Sequence, residues 1–231
     1  MRDVLGEAIW DYHHHEKDNK LWIHNRYGRK EEMPLSIYFR EEDEMPELEL
    51  LAMQQCRGKV LDIGAGAGSH SLVLQQMGVD VTALDISPKA IAIAQQRGVQ
   101  KAIQANIFEY QESTFDTLLL LMNGIGLTGT LKSLQLFLQH SKTLLATGGQ
   151  ILFDSSDVAY LYKKNPMPRD KYYGEIEYQY QYKGQKGAWF NWLYVDAKTL
   201  KKAARAAGYK TEILFDDGYD QYLARLTLKG F

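Results

Sequence analysis

The chain has 231 residues, and its 27 basic and 29 acidic residues give a formal net charge of −2 at pH 7. A content of 45% hydrophobic and 24% charged residues is that of a soluble globular protein, and it excludes a disordered or fibrous chain. The near-neutral charge disfavours nucleic acid as a partner, because binding phosphates needs a concentrated positive field. The longest uninterrupted apolar run, 118–122, is far shorter than the ~20 residues that span a bilayer, so no membrane partner is expected.

The N-terminal residues and the cysteine content bear on the cellular compartment. Acidic residues, Asp3, Glu7 and Asp11, stand where a signal peptide would have a basic start and an apolar stretch. The single cysteine, Cys56, cannot form a disulfide within the chain, which fits a reducing compartment. We therefore expect a cytoplasmic protein. The run His13–His15 predicts no metal site, because three consecutive side chains do not converge on one ion in a regular element.

Between Lys59 and Asp154, strand-like apolar runs alternate with helical patterns, which predicts a parallel sheet built from βαβ units. Before this region, 1–45 shows no clear period and 46–56 is predicted as a helix. The predicted strands are 60–63, 79–84, 101–104, 115–122 and 150–154. The predicted helices run up to about 77 after a glycine-rich turn, from the cap Ser87 to about 97, and over about 130–145.

After Asp154 the pattern changes to antiparallel strands. Tyrosine and polar residues alternate over 176–182, a loop follows at 183–187, and 188–195 is a second aromatic strand, so the two strands predict a hairpin. Eight of the 15 tyrosines lie between residues 155 and 195. A helix from the cap Asp196 to Gly208 and two last strands, 210–215 and 219–228, complete the predicted elements.

A glycine-rich turn and an acidic residue point to a nucleoside ligand. Gly64, Gly66 and Gly68 follow the first strand, where glycines permit close approach of a ligand and the N–H groups of the turn favour an anion. Asp85 ends the next strand about 20 residues later, the position from which a carboxylate binds the hydroxyls of a ribose. The combination in its strand–turn–helix–strand context predicts a ligand site at this edge of the sheet.

Two further residues bear on which nucleoside is bound. The dinucleotide fingerprint needs glycine or alanine at position 69, where this chain has Ser69. Asp62, just before the turn, sits badly against a pyrophosphate but suits an ammonium group. S-adenosylmethionine carries an amino acid at one end and a ribose with adenine at the other, so it fits Asp62, the turn and Asp85 together. An NAD-dependent oxidoreductase and a non-catalytic module that binds S-adenosylmethionine stay as alternatives.

These segments resemble the motifs of the class I S-adenosylmethionine-dependent methyltransferases. The resembling segments are 60–68, 83–87, 104–108, 115–124 and 147–152. The resemblance implies a Rossmann-like three-layer αβα sandwich, whose seven-stranded, mostly parallel sheet has an antiparallel last strand, with the β-hairpin as an insertion. It also implies transfer of a methyl group from a sulfonium to a small-molecule acceptor by in-line displacement. We expect 1–58 to be an N-terminal helical cover and 59–231 to be the S-adenosylmethionine-binding domain, with 155–195 inserted as a substrate lid.

The resemblance further implies a set of cofactor-binding residues. Asn106 stands where the family usually has an aspartate, but its amide oxygen can still accept from the adenine amino group. Arg40 is expected to pair with the methionyl carboxylate, the alternative being an ordinary exposed arginine. The expected cofactor-binding residues are Arg40, Asp62, Gly64, Ala65, Gly66, Gly68, His70, Asp85, Ile86, Asn106, Ile107 and Asn123. No catalytic residue is predicted, since positioning can supply much of the acceleration.

The acceptor is bounded by features that the sequence does not have. The fourth predicted strand ends in Met122-Asn123-Gly124-Ile125, and not in the Asn-Pro-Pro-aromatic motif of the family's enzymes that methylate amino groups of nucleic acids. Cys56 precedes the first motif, which disfavours cytosine C5 chemistry. A small molecule is therefore expected under the hairpin, although a protein acceptor stays open. Alternatively, the hairpin's rings pack onto the sheet or form a homodimer interface.

Overall fold

The computed structural model describes residues 2–15, 19–163 and 166–230. The α-helices within these ranges are α1 (Val4–His13), α2 (Glu47–Gln54), α3 (Ser69–Gln76), α4 (Pro88–Gln96), α5 (Leu131–Leu144) and α6 (Ala197–Ala206). The β-strands are β1 (Leu21–Asn25), β2 (Glu31–Met33), β3 (Lys59–Ile63), β4 (Asp80–Asp85), β5 (Ala102–Gln104), β6 (Phe115–Leu120), β7 (Leu145–Ser156), β8 (Glu175–Tyr182), β9 (Gln185–Lys186), β10 (Phe190–Leu193), β11 (Tyr209–Asp216) and β12 (Gln221–Leu228).

The main sheet has seven strands in the order β11-β12-β7-β6-β3-β4-β5. The pairs β4 with β5 and β6 with β7 are parallel, whereas β12 is antiparallel to both of its neighbours, β7 and β11. The last strand is therefore the one that runs against the others. This confirms the predicted Rossmann-like α/β fold with its mostly parallel sheet.

Two compact units can be distinguished along the chain. The first comprises the described residues up to Met45 together with Leu61–Glu109 and Glu177–Phe190. The second comprises Pro46–Val60 and the described residues of Tyr110–Ile176 and from Asn191 onward. The division into 1–58 and 59–231 that the sequence suggested stays a prediction.

In the first unit, the predicted ends of α4 follow from local chemistry. Ser87 caps the helix, its Oγ accepting the N–H of Ala90 at 3.0 Å, and Pro88 occupies the first helical position, where a missing N–H costs nothing. The chain leaves the helix at Gly98 with φ +106°, a conformation that favours glycine. These three positions confirm the boundaries predicted for this helix.

The N-terminal segment is not purely helical, which corrects the predicted helical cover. After α1, strands β1 and β2 pair in an antiparallel hairpin, and β1 also pairs with β8, Trp22 lying opposite Gln181. The second sheet therefore has the order β10-β8-β1-β2, with β9 also paired to β8. Sequence analysis did not predict β1 and β2, because strands of five and three residues are too short to show a clear alternating pattern.

The predicted hairpin of the insertion is present. Strand β9 returns along β8 in antiparallel register, with Tyr182 opposite Gln185. The two residues of the turn, Lys183 at φ +47° and Gly184 at φ +73°, are both left-handed, as in the two-residue turns that suit the twist of a hairpin. The predicted loop 183–187 is therefore shorter in the structure, because part of it is paired as strand.

In the second unit, α5 and β7 lie close to their predicted places. Thr130 caps α5 by accepting the N–H of Ser133 at 3.1 Å, and the buried face of the helix includes Leu134 and Phe137. Strand β7 begins earlier than predicted, although Gly148 within it has φ +75°. The β6–β7 register shifts at this irregularity, so the turn expected at Gly148 is absorbed into the strand.

Candidate functional site

The glycine-rich turn between β3 and α3 depends on backbone conformations that glycine adopts readily. Gly64, Gly66 and Gly68 have φ of +76°, +55° and +82°. A Cβ on Gly68 would lie 2.7 Å from Cγ2 of Val99, so this glycine permits close packing. At Gly66, a Cβ would lie 3.3 Å from a ring carbon of Tyr38. Gly66 therefore has no side chain on the face of its backbone that the Tyr38 ring approaches.

The amide groups of this turn are largely committed within the protein. The N–H groups of Gly64 and Ala65 both donate to the carbonyl of Leu84, at 2.8 and 3.2 Å. The N–H of Gly66 donates to Oδ2 of Asp85 at 2.9 Å. The sequence led us to expect these N–H groups to meet the ligand. What the turn offers is close approach to its backbone and a fixed position for the Asp85 carboxylate.

Asp85 lies at the carboxyl end of β4 with both oxygens already accepting one backbone hydrogen bond. Oδ1 accepts the N–H of Ser87 at 2.8 Å, and Oδ2 accepts that of Gly66. Burial raises the pKa of this carboxyl, the two hydrogen bonds lower it, and the nearby carboxylates of Asp3 and Asp62 raise it. Each oxygen keeps a second lone pair, so the group can still accept from two ribose hydroxyls.

Asp62 is a buried carboxyl beside the start of α3. It is 2% exposed and accepts the hydroxyl hydrogen of Ser71 at 2.6 Å. Burial raises its pKa, while the positive charge of His70 and the hydrogen bonds from Ser71 lower it. His70 is itself buried in the first turn of α3. Donors therefore surround this carboxyl, and a cationic group would favour its ionised form in the same way.

The segments after β4 and β5 provide apolar surface and a carboxamide. Ile86, next to Asp85, is 67% exposed, whereas Ile107 is buried. Asn106 accepts the N–H of Phe108 at 3.1 Å through Oδ1, and its Nδ2 donates to Glu109 at 3.2 Å. The Asn106 oxygen retains one lone pair for an external donor. The exposed Ile86 beside the Asp85 carboxylate is therefore apolar surface that a planar ring can cover.

Arg97, which the sequence analysis did not single out, fastens the segment before α2 to the glycine-rich turn. One of its terminal nitrogens, Nη1, donates to the carbonyls of Ala67 at 2.7 Å and Tyr38 at 3.3 Å, and to Oγ of Ser69 at 3.0 Å. Its guanidinium lies 5.0 Å from the ring centre of Phe39. An arginine at a helix end gives no local signal of these contacts, because every partner is distant in sequence.

Tyr38 and Tyr180 place two neutral hydroxyl groups near Asp85. Burial raises the pKa of Tyr38 to about 12 and that of Tyr180 well above its ordinary value, and the two side chains are hydrogen-bonded to each other. The hydroxyl of Tyr38 donates to the sulfur of Met33 at 3.2 Å. Both phenols therefore stay protonated at neutral pH and present no phenolate.

Arg40 lies apart from the Asp85 carboxylate contacts described above. Its Nε donates to the carbonyl of Ile37 at 3.1 Å. With Glu41, Ser69 and Arg97 it borders a shallow cavity of about 230 Å³ along α3. The predicted pairing of Arg40 with a methionyl carboxylate stays a prediction.

In the second unit, Asn123 follows β6 in a strained turn. Met122 and Asn123 have φ of +62° and +54°, unusual for residues other than glycine and a frequent sign of a functional segment. The Asn123 N–H donates to Oδ2 of Asp154 at 2.8 Å, and Ser156 Oγ donates to the Asn123 carboxamide oxygen at 2.9 Å. Asp154 is 1% exposed, and burial raises its pKa to about 6. Sequence reasoning named Asn123 but missed the two β7 residues that hold it.

Two tyrosines of the 155–195 insertion donate hydrogen bonds to aspartate side chains. The hydroxyl of Tyr172 donates to Asp196 at 2.6 Å, and that of Tyr173 donates to Asp157 at 2.7 Å. Tyr182, 1% exposed, belongs to an apolar cluster with residues of α1 and α4. In the structure these rings pack within the fold. The lid role of the insertion stays a prediction.

Neither a metal-binding cluster nor a membrane-spanning helix is present among the described residues. No group of three or more His, Cys, Asp or Glu side chains there is arranged to hold a metal ion. His13 stacks on Phe39 with ring centres 6.1 Å apart, and Nδ1 of His14 is 2.8 Å from the carbonyl oxygen of Trp10. None of the helices described above combines the length and the apolar character that crossing a bilayer requires.

Comparison with known proteins gives consistent results. The family model described as a methyltransferase domain matches residues 37–212. A crystal structure of an S-adenosylmethionine-dependent methyltransferase from Bacteroides fragilis, in complex with S-adenosyl-L-homocysteine, is similar with a TM-score of 0.89 at 40% identity, over 98% of this chain and 94% of that chain. The CcbJ methyltransferase of Streptomyces caelestis shares the fold at a TM-score of 0.61 and 14% identity, over 81% of this chain and 94% of that one.

One curated relative matches over a short segment. The ubiquinone biosynthesis O-methyltransferase of Xylella fastidiosa (strain 9a5c) is 40% identical over 48 residues. That segment is 21% of this chain and 20% of the relative, so the chain matches about a fifth of the relative's length.

Proposed function

The chain belongs to the methyltransferase-domain family of S-adenosylmethionine-dependent enzymes, and on that premise we propose that its methyl acceptor is a small molecule and that its cofactor lies on the β3–α3 turn. The observation that carries the placement of the cofactor is the Asp85 carboxylate. Two backbone N–H groups hold this carboxylate at the end of β4, next to Gly66, which has no side chain.

The residues of the first unit fit this cofactor. Asp85 has lone pairs for both ribose hydroxyls, and the exposed side chain of Ile86 offers apolar surface to the adenine ring. Asn106 retains an acceptor for the adenine amino group. Asp62 is a buried carboxyl that a nearby ammonium group would stabilise in its ionised form. The further residues of this unit that we assign to the site are Arg40, Gly64, Ala65, Gly68, His70 and Ile107, while the role of Asn123 stays a prediction.

S-adenosylmethionine supplies a methyl group on a positively charged sulfur, open to in-line displacement by a nucleophile. The residues named above bind and orient, and we assign no general base. Fixing two reactants in line can lower a barrier by about 7–11 kcal/mol without proton transfer by the protein. Tyr38, held as a neutral phenol over Gly66, would restrict water at the turn.

A small-molecule acceptor is supported by charge and by sequence. The net charge of −2 is unfavourable for a polyanionic acceptor. The turn after β6 lacks the Asn-Pro-Pro-aromatic motif of amino-methylating nucleic-acid enzymes. The Xylella relative, named for ubiquinone biosynthesis, points the same way. We also propose that the protein acts in the cytoplasm, given its single cysteine.

Calorimetric titration with S-adenosylhomocysteine tests the cofactor site. Asp85→Ala removes the acceptor of the ribose hydroxyls, and losing about 1.5–3 kcal/mol corresponds to about 10- to 100-fold weaker binding. Asp80→Ala is the matched control, since Asp80 lies at the other end of β4 in an exposed ion pair with Lys101 at 2.5 Å. Parent-like affinity in Asp85→Ala would refute the ribose role.

The acceptor class is tested by incubating the protein with methyl-labelled S-adenosylmethionine and cell extract. Label in a low-molecular-weight product separated from unreacted S-adenosylmethionine is the expected result. Label in the protein or nucleic acid fraction, and in no small-molecule product, would overturn the proposed acceptor while leaving the cofactor site intact.

A further inference from the structure

We propose that Asp3, the N-cap of α1, is a positioning residue of the cofactor site that holds the ribose-binding carboxylate of Asp85 in place through Ser87. The inference rests on the ribose role proposed above for Asp85. It assigns to the N-terminal helix a direct part in cofactor affinity.

A continuous chain of hydrogen bonds joins α1 to the glycine-rich turn. The Gly6 N–H donates to Oδ1 of Asp3 at 2.8 Å, and the Ser87 hydroxyl donates to Oδ2 of Asp3 at 2.5 Å. The Ser87 N–H then donates to Oδ1 of Asp85 at 2.8 Å, and Oδ2 of Asp85 accepts the N–H of Gly66. Each carboxylate therefore bridges two elements, and Ser87 is the common link.

Ser87 is held from two sides, which fixes the direction of its hydroxyl. Its oxygen accepts the N–H of Ala90 at 3.0 Å as the cap of α4. A hydroxyl has one hydrogen, and here that hydrogen points to Asp3. Without Asp3, the hydroxyl would lose its acceptor and the capping residue would gain rotational freedom next to Asp85.

The contact is built into α1 by a glycine. A Cβ on Gly6 would overlap both Oδ2 of Asp3 and Oγ of Ser87, so only glycine leaves room for the approach. A second tie between the two helices is the ion pair of Glu7 with Lys89 at 3.9 Å. The N-cap of α1, Asp3, therefore contacts Ser87.

Asp3 also acts on Asp85 through its charge. The ionisable groups near the Asp85 carboxyl are the carboxylates of Asp3 and Asp62, which raise its pKa, and the neutral phenols of Tyr38 and Tyr180, whose own pKa values Asp85 raises. The Asp3 carboxylate raises the pKa of Asp85, adding to the effect of burial. Ribose hydroxyls donate best to the ionised carboxylate, so affinity should rise with pH through the pKa of Asp85 in the free protein. Removing the charge of Asp3 should move that rise to lower pH.

Asp11 provides a matched control on the same helix. Its carboxylate pairs with Lys183 of the hairpin turn at 2.8 Å. Asp11→Asn removes an α1 charge and a tie of the helix, but it leaves Ser87 untouched. An effect that Asp3 variants have and Asp11→Asn lacks is therefore specific to the bridge.

The experiment is calorimetric titration of the full chain with S-adenosylhomocysteine between pH 5 and pH 8. We expect Asp3→Ala to weaken binding about tenfold at pH 7.5, because the bridge to Ser87 is lost. Asp3→Asn retains an acceptor and a good helix cap, so we expect affinity within about threefold of the parent and a pH midpoint displaced to lower pH. Asp11→Asn should change neither quantity.

The outcomes separate the two proposals. If the parent binds S-adenosylhomocysteine but Asp3→Ala binds it equally well, Asp3 is not a positioning residue. Equal losses in Asp3→Ala and Asp11→Asn would assign the effect to docking of α1 in general and also overturn the inference. An unshifted pH midpoint in Asp3→Asn, a variant that keeps the cap, would refute the electrostatic part. Absence of binding in the parent would refute the proposed cofactor site.

Discussion

Substituting Gly68 by alanine tests whether the glycine-rich turn is shaped by packing as well as by backbone conformation. Two glycines flank α3, Gly68 at its start and Gly78 after its end, with φ of +82° and +78°. Alanine in this left-handed region costs about 1–2 kcal/mol at either position. The backbone term is therefore nearly the same for both substitutions.

The two sites differ in the space around a new Cβ. At Gly68 it would lie 2.7 Å from Cγ2 of Val99 and 3.0 Å from Cβ of Ala94, both buried, whereas at Gly78 nothing lies within 4 Å. Overpacking of a filled core costs about 1–3 kcal/mol. Gly68→Ala should thus lower the free energy of unfolding by about 2–5 kcal/mol, and Gly78→Ala by about 1–2 kcal/mol.

Urea unfolding followed by circular dichroism measures both variants against the parent. A larger loss for Gly68→Ala is the expected result, together with weaker binding of S-adenosylhomocysteine in that variant only. Equal losses of unfolding free energy would refute the packing argument, because the backbone term alone would then account for both substitutions.

Other substitutions test separate parts of the structure. Burial raises the pKa of Asp154 from its ordinary 3.8 to about 6, so the folded state favours the protonated carboxyl. The stabilisation from this protonation is complete below about pH 4 and is lost as pH rises through 6. Asp154→Asn should remove about 3 kcal/mol of pH dependence, seen by urea unfolding at pH 4 and pH 7; an unchanged pH dependence would contradict this. Arg97→Lys should weaken S-adenosylhomocysteine binding severalfold, because one ammonium cannot reproduce contacts made by two guanidinium nitrogens, Nη1 with Ala67 and Nη2 with the Phe39 carbonyl; calorimetry decides. Gly126→Ala should lower the unfolding free energy by about 1–3 kcal/mol, since its Cβ would overlap Trp192, and a parent-like urea midpoint would refute that contact.

The parts of the fold that could be predicted are those fixed by neighbours in sequence. Ser87 and Gly98 are residue types typical of helix caps, and they predict the ends of α4. An apolar run followed by glycines predicts β3 and the turn after it. Asp85 was found because its distance from that turn is set by one helix and one strand. Local rules suffice wherever both partners of an interaction lie in the same βαβ unit.

The parts that could not be predicted depend on partners distant in sequence. The pairing of β1 with β8 joins segments that are far apart in the chain, so it leaves no local pattern in the sequence. Arg97 and Asp3 look like ordinary surface residues at helix ends, yet the acceptors of Arg97 and the Ser87 hydroxyl that donates to Asp3 lie 28 to 84 residues away. A single sequence does not show which distant residues contact each other. Sequence analysis therefore missed the residues that contact the candidate site from distant segments, and it found those that belong to a local motif.

The charges around the turn account for the class of cofactor. Asp3, Asp62 and Asp85 are three carboxyl groups in one unit, and Asp3 and Asp62 both raise the pKa of Asp85. A pyrophosphate group would add negative charge here, and one phosphate about 5 Å from one carboxylate would cost about 3 kcal/mol at an effective dielectric constant of about 20. A ligand with an ammonium group and a diol reverses the sign, because each donor it brings stabilises an ionised carboxylate. Electrostatics at this glycine-rich turn thus favours S-adenosylmethionine over a dinucleotide.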